Sequence, residues 1–393
     1  MRANPLRVPA PSDQTHLRQP LPSPLRLGIS LAILALLCAL FWTGSRYPAL
    51  NEKLMMSGAI QLEDPLSFEA RFALNETMSI PERVIYSTLN WLYTNKQGMT
   101  FGILFAAGFM TLLAQLRQRA FASPLANALL GLFIGTPLGV CANCAAPIGR
   151  GLYASGMRVE TALAAMVASP SLNFVVLTML FSLLPFYMVL AKIFLSLVVI
   201  LGLVPLICRV LGPDQRQVQP PEQLPQPWSA AELASDSPSP EGVIAATLAV
   251  ARAYLGNLWY ILRLTVPLML LAGFLGALVA TALPQDLILG LPWSIWTLIA
   301  IAVVGTFLPV PIAFDVVMAG ALLGLGLAHG YVMALLFTLG TFSVYSFLIV
   351  AGTLSLRAGW MMALAVMVLG TIGGWGAERY HQWQSDRALE LLL

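Results

Sequence analysis

The chain has very little charge for its length. Of its 393 residues, 10% are charged and 58% are hydrophobic, and the mean hydropathy is +0.79. Because a soluble domain carries about 25% charged residues, this composition excludes a soluble protein and indicates an integral membrane protein in a lipid bilayer. The net charge of +3 is too small for the basic footprint of a nucleic-acid-binding protein, so we expect no nucleic-acid partner.

Cysteine is absent from the polar segments. All four cysteines lie within apolar runs, which argues against a framework of structural disulfides. The sequence also lacks the Gly-x-x-x-x-Gly-Lys-Ser/Thr loop that holds nucleotide phosphates. We therefore expect no direct ATP hydrolysis, no cofactor and no enzymatic activity. The cysteines are Cys38, Cys141, Cys144 and Cys208.

The amino-terminal part of the chain predicts a cytoplasmic amino terminus. Residues 1–26 combine four arginines with one aspartate and several prolines, a pattern typical of a disordered cytoplasmic tail under the positive-inside rule. Residues 27–43 form a first transmembrane anchor without a small-residue cleavage site after it, so we interpret it as uncleaved. Residues 44–97 are rich in acids and predict an extracytoplasmic loop, with an interfacial helix that starts at Ser79.

The remaining apolar segments fall into two halves. Residues 98–210 and 251–376 are separated by a hydrophilic linker at 211–250, and a polar tail at 377–393 follows. The sequence predicts an all-α polytopic membrane protein with eight to ten transmembrane segments in two repeat-related halves with broken helices. Ten hydrophobic segments lie at about 27–43, 98–116, 125–148, 160–183, 186–208, 258–283, 293–313, 315–328, 331–353 and 358–376.

A short pattern recurs at one fixed offset between the halves. Gly135-Thr136-x-Leu138-x-Val140 in the first half returns as Gly305-Thr306-x-Leu308-x-Val310 in the second, and Gly156 returns as Gly326. Duplicated halves that enclose a site at the membrane midplane are a recurring plan of transporters.

The first candidate site is the segment around two cysteines. Cys141 and Cys144 are three residues apart, so on a helix they share one face and can jointly hold a soft metalloid. Pro147 cannot donate a hydrogen bond to the carbonyl of Asn143, which leaves that oxygen and the Asn143 amide free to line a pathway. The alternative is that both cysteines act only as small hydrophobic residues of a membrane helix.

A second candidate lies in the next apolar run. Ser169, Pro170 and Asn173 again combine a hydroxyl, a proline and an amide, which indicates a second broken helix along the pathway. A simple kink, satisfied by Ser169 or by a neighbouring helix, is the alternative.

The second half has two prolines and an aspartate at the positions that correspond to the cysteine segment of the first half. Pro309 and Pro311 replace the cysteine region, and Asp315 follows at the repeat equivalent of Ala145. A carboxylate within an apolar run is a candidate for ion coupling, whereas the alternative is an interfacial helix cap. For Lys192, in the fifth apolar run, we expect snorkelling toward the interface.

The segment from Gly139 to Gly156, followed by Ser169-Pro-Ser-Leu-Asn173, resembles a family of predicted permeases that includes the organoarsenical efflux permeases. The resemblance covers mainly residues 98–208 and, more faintly, 258–376. It implies a permease of the bacterial inner membrane, with a thiol-reactive metalloid or an organoarsenical as a candidate solute. The positions that match the family pattern are Cys141, Pro147, Gly156, Pro170 and Asn173.

Together these features predict a secondary permease that exports a small solute by rocking two halves about a central site. They predict no particular oligomeric state. Two other classes of function stay open. A membrane thiol–disulfide oxidoreductase would use Cys141 and Cys144 but would need a second cysteine pair to relay electrons. A non-transporting membrane scaffold would bind a partner through the loop or the linker, and the broken helices argue against it.

Overall fold

The computed structural model describes residues 23–48, 51, 66, 70–75, 77–116, 121–212, 242–282 and 292–392. Residues 1–22 of the predicted tail (1–26) and residues 213–241 of the predicted linker (211–250) lie outside the described residues. Every regular element within the described ranges is helical. In chain order, these helices are α1 Pro24–Phe41, α2 Ile80–Leu113, α3 Pro124–Gly135, α4 Ala142–Ala154, α5 Val159–Ser171, α6 Phe174–Leu183, α7 Phe186–Leu197, α8 Val204–Leu211, α9 Val243–Ala282, α10 Ile295–Phe307, α11 Phe314–Gly324, α12 His329–Thr341, α13 Val344–Thr353 and α14 Leu356–Leu392.

Short polar residues begin several of these helices. Ser79 and Glu82 form a capping box at the start of α2, which confirms the predicted helix start. The Asn173 side chain accepts from the Val176 amide at the start of α6, and Ser343 caps α13 in the same way. Such caps provide hydrogen-bond acceptors for backbone N–H groups, which the hydrocarbon of a bilayer cannot provide.

Helix α2 differs from the prediction for residues 44–97. The expected interfacial helix and the expected second span at 98–116 form one continuous helix, Ile80–Leu113. Trp91 and Asn95, which we placed in the loop, are buried inside the protein. Trp91 donates to the carbonyl of Pro309 and Asn95 donates to the carbonyl of Trp91, so both side chains find hydrogen-bond partners inside the protein rather than in water.

The predicted boundaries of the second half also move outward. Helix α9 begins at Val243, inside the predicted linker, and α14 runs to Leu392 through the predicted polar tail. The first residues of α9 are themselves mostly apolar, whereas α14 continues as a helix past its apolar stretch.

Ten hydrophobic segments are present among the described residues. Six helices are long and apolar enough to cross a membrane, and the α12–α13 pair, bent by 42°, makes a seventh candidate. The other three segments, Pro124–Leu138, Ile295–Phe307 and Phe314–Gly324, are shorter. A crossing needs about 20 helical residues, so these three do not reach across alone. By length, the described residues therefore contain six or seven spans, fewer than the eight to ten expected.

The two halves repeat in three dimensions. Helices α5 and α12 both have 13 residues, α6 and α13 both have 10, and each pair is shifted along the chain by the same offset as the sequence pattern. Gly156 and Gly326, at equivalent turns, have positive φ angles of 89° and 80°. The contacts between halves are also reciprocal, since α4 packs on α13 and α11 packs on α6.

The centre of the protein is formed by the equivalent helices α5 and α12. Every residue of α5 is buried, and most of α12 is as well. A helix that is buried all round lies in the interior, so the breaks next to α5 and α12 lie inside the protein.

Candidate functional site

The two cysteines lie side by side at the start of α4. The chain breaks at residues 139–141, where Gly139 takes a left-handed conformation, and Cys141 then caps α4 by accepting from the Cys144 amide at 3.4 Å. The two Sγ atoms are 2.8 Å apart, and both thiols are free and buried. The break therefore ends at Cys141, and Pro147 lies inside a helix that continues past it.

A buried arginine from the helical turn Trp42–Arg46, which directly follows α1, lies beside this pair. The Nε of Arg46 donates to the carbonyl of Gly139 at 2.6 Å. The position of a Cβ on Gly98 would be 3.2 Å from the Arg46 Nη2 and 2.8 Å from the Cys144 Sγ. The guanidinium therefore provides positive charge next to two thiols. Arg46 is not among the predicted site residues, because an arginine at the end of an apolar run normally snorkels into water.

Glycines of α2 allow the close approach of α4. A Cβ on Gly102 would lie 2.5 Å from the Cys144 carbonyl oxygen, which real atoms do not tolerate. Close packing of backbones through small residues is typical of membrane helices. One side of the thiol pair is thus closed by the backbone of α2.

We expect Gly102→Ala to destabilise the protein by about 1–3 kcal/mol, because α2 and α4 must separate to admit the methyl group. Thermal unfolding of the purified protein in detergent measures the change. Gly28→Ala in α1 is the matched control, since a Cβ there meets no atom within 4 Å. Equal unfolding temperatures for the two variants would show that the close contact is not needed.

The second half closes the other side of the site through Asn143. Its amide donates to the carbonyl of Val310 at 3.0 Å and accepts from the Ser343 hydroxyl at 2.8 Å. The Ser346 hydroxyl donates to the carbonyl of Ala142 at 3.2 Å. The Asn143 side chain, which we expected to be free, is instead hydrogen-bonded across the two halves.

The Pro309–Pro311 segment forms the matching break between α10 and α11. The Trp91 indole donates to the carbonyl of Pro309, next to the Val310 carbonyl that Asn143 binds. Ala313 then adopts a φ of 59°, a left-handed conformation rare for a residue with a side chain. Strained backbone of this kind persists where surrounding contacts impose it and is frequent at functional sites.

Ser169, Pro170 and Asn173 surround the end of α5. The Ser169 hydroxyl lies 3.4 Å from both the amide and the carbonyl of Val140, in the break before α4. The Asn173 amide donates to the carbonyl of Ser169 at 2.6 Å while capping α6. These side chains thus support two neighbouring breaks through bonds inside the first half.

Asp315 forms a separate cluster with Lys192. The two side chains make a buried ion pair between α11 and α7, packed against the backbone of Gly340. Lys192 is 0% exposed, so the expectation that it snorkels is wrong, because a carboxylate inside the protein neutralises it. Asp315 is not an interfacial cap either. Among the described residues, no hydrogen bond or ion pair joins this cluster to the cysteines.

The thiol site offers two ligands. Within the described ranges, no group of three or more histidine, cysteine, aspartate or glutamate side chains is placed to hold a metal ion. A two-thiol site suits a soft solute that needs only two sulfur ligands.

The fold is that of an all-α polytopic membrane protein. Its broken helices surround a buried polar site, an arrangement typical of transporters. A family model described as "Predicted permease" matches residues 88–376, and the chain belongs to that family. It is a membrane permease. Helix α1 and the turn Trp42–Arg46 that follows it precede the matched region. No curated protein and no solved structure shows a significant match to the chain.

Proposed function

We propose that this permease is a secondary transporter of the bacterial inner membrane that exports a small thiol-reactive solute, such as a trivalent organoarsenical. The observation that carries the proposal is the contact of Cys141 with Cys144, 2.8 Å apart and beside Arg46. The cost of burying a cation must be offset by nearby negative charge. Cysteines that acted only as apolar residues would supply none, so the buried guanidinium of Arg46 favours thiols that bind a solute.

The chemistry is a reversible ligand exchange. An organoarsenical R–As(OH)₂ gives up two As–O bonds and forms two As–S bonds, and each thiol proton leaves with a hydroxide as water. No electron is transferred. Arg46 stabilises the negative charge that develops on sulfur when a proton departs. Release on the other side of the membrane is the reverse reaction with water.

Movement of the two halves would expose the site alternately to the two sides of the membrane. The Lys192–Asp315 pair joins α7 of the first half to α11 of the second. Uptake of a proton by Asp315 would remove its attraction for Lys192 and weaken this contact between halves. The pair is therefore the candidate for coupling transport to a proton gradient, with the amino terminus in the cytoplasm.

The alternative of a thiol–disulfide oxidoreductase lacks a relay. Cys38 lies in α1 and Cys208 in α8, so the two remaining cysteines do not form a second Cys-x-x-Cys motif. An electron relay through this chain would need such a second pair.

Transport by purified protein in proteoliposomes tests the proposal. We expect saturable movement of phenylarsine oxide that accelerates when a proton gradient is imposed, because the trivalent arsenic exchanges ligands with thiols. Arsenate is the matched control, since its arsenic is already bound to four oxygens and does not bind thiols without reduction. Equal movement of phenylarsine oxide in protein-free liposomes would rule out this substrate.

A further inference from the structure

The buried charge of Arg46 has no carboxylate partner. A guanidinium does not lose its proton in proteins. The Nε of Arg46 donates to the carbonyl of Gly139, and the central guanidinium carbon lies 4.3 Å from the centre of the Phe41 ring, but both contacts offer only partial negative charge. Among the residues that the structure describes, no aspartate or glutamate forms an ion pair with Arg46. An unpaired buried charge is costly, so the two thiols, which interact electrostatically with the guanidinium, are the groups that can supply the opposite charge.

The thiol pair can carry one negative charge. The sulfurs of Cys141 and Cys144 are 2.8 Å apart, within reach of one S–H···S hydrogen bond. Removal of one proton leaves a thiol and a thiolate that share the remaining proton. The Cys144 amide donates to the Cys141 Sγ at 3.4 Å, and the start of α4 adds partial positive charge, so both features stabilise a thiolate. In this state the charge of the pair cancels the charge of Arg46.

A soft monovalent cation keeps this cancellation intact. Thiolates select soft ions such as Cu(I), and Ag(I) has the same charge and the same preference for two sulfur ligands. An ion M⁺ that replaces the shared proton forms two M–S bonds and releases one H⁺, and no electron is transferred. The pair keeps one negative charge beside Arg46. Divalent mercury forms a neutral complex with two thiolates, which leaves Arg46 without an opposite charge.

The thiol site is enclosed, and a bare ion needs little space. A Cβ on Gly98 would lie 2.8 Å from the Cys144 Sγ, and a Cβ on Gly102 would lie 2.5 Å from the Cys144 carbonyl oxygen. Because metal–thiolate bonds are about 2.3 Å long, the sulfurs need to part by at most about 2 Å to hold an ion between them. A bare ion therefore requires a smaller rearrangement than a solute with an organic group.

We propose that the thiol site takes up a soft monovalent cation, Cu(I) or Ag(I), in exchange for one proton, and that Arg46 selects it over ions of higher charge. Cys141 and Cys144 are the two ligands, and Arg46 is the opposite charge of the bound complex. The inference rests on the proposed function, because it assigns a further class of solute to the same site.

Binding of Ag⁺ to the purified full-length protein, in neutral detergent and a chloride-free nitrate buffer, tests this inference. Cys38→Ser and Cys208→Ser are present throughout, so that Cys141 and Cys144 are the remaining thiols. A pH indicator counts the protons released for each bound ion near neutral pH. We expect one H⁺ for each Ag⁺, and no release when Cys141 and Cys144 are also replaced by serine. Release of two protons, or no binding of Ag⁺, overturns the inference.

Variants of Arg46 test the selection by charge. Arg46→Met should weaken Ag⁺ binding by about tenfold or more, because the negative charge of the complex is then buried alone. Arg46→Lys keeps the positive charge and should restore most of the affinity. Hg²⁺ is the matched probe, since it binds two sulfurs with one more charge, and its affinity should not fall in Arg46→Met. Equal losses for Ag⁺ and Hg²⁺ would mean that Arg46 only supports the fold, which contradicts the inference.

The test remains decisive if Arg46→Met fails to fold, because the proton count is measured in the protein that retains Arg46. Failure of the inference is also distinguishable from failure of the proposed function. Transport of phenylarsine oxide without binding of Ag⁺ overturns the inference alone. If neither solute is bound or transported, the thiol pair is not a solute site and both proposals fall.

Discussion

Replacing either site cysteine by serine is expected to reduce transport of phenylarsine oxide by at least about tenfold. Arsenic is a soft centre that prefers sulfur ligands. With one thiol replaced by a hydroxyl, the solute is held by one As–S bond instead of two. Cys141→Ser is the cleaner variant, because serine is a good helix cap and keeps the start of α4 intact. Initial rates in proteoliposomes provide the measurement.

Cys208→Ser is the matched control for this prediction, since Cys208 is fully buried in α8. It exchanges the same atoms away from the site and should keep transport near the wild-type rate. Circular dichroism of each variant verifies that the helices are retained. Wild-type rates in both Cys141→Ser and Cys144→Ser would remove the thiols from the mechanism, whatever the control does.

Breaking the Lys192–Asp315 pair is expected to have the largest effect on stability. Removal of one partner leaves an uncompensated buried charge, which costs about 3–5 kcal/mol. Lys192→Met and Asp315→Leu should therefore each lower the unfolding temperature strongly. The double variant should recover most of the loss, because apolar residues of similar volume often replace a buried pair without cost.

The double variant also separates structure from coupling. If Asp315 carries the coupling proton, the folded double variant should no longer respond to a proton gradient, although it still binds the solute. Lys96→Met, which removes an exposed lysine of α2, serves as the control. A double variant that still transports faster under the gradient would make the pair purely structural.

Local features of the sequence predicted the elements well. Hydropathy predicted the ten segments, and the pattern around Gly135 and Gly305 predicted the repeat. Pro170 and Asn173 marked the break between α5 and α6, which the structure places at the end of α5. All of these signals arise within a few neighbouring residues, where backbone geometry and capping decide the structure.

Contacts between distant segments were harder to predict. The sequence does not show that Arg46 reaches Gly139, or that Asn143 bonds to Val310 and Ser343, because such contacts depend on how the helices pack. One signal for the ion pair was present. Lys192 and Asp315 are opposite charges within apolar runs, and ions inside a membrane protein tend to pair with one another.

The hydrogen bonds of Asn143 also determine where the halves can part. They join α4 to the second half at the thiol site, alongside the bond from Trp91 to Pro309. Breaking them in a dry interior would leave polar groups unsatisfied at about 1–3 kcal/mol each. The proposed rocking motion therefore pivots about Asn143, and the openings form toward the ends of the helices. In the proposed mechanism, the solute would stay beside Asn143 while access to it changes from one face of the membrane to the other.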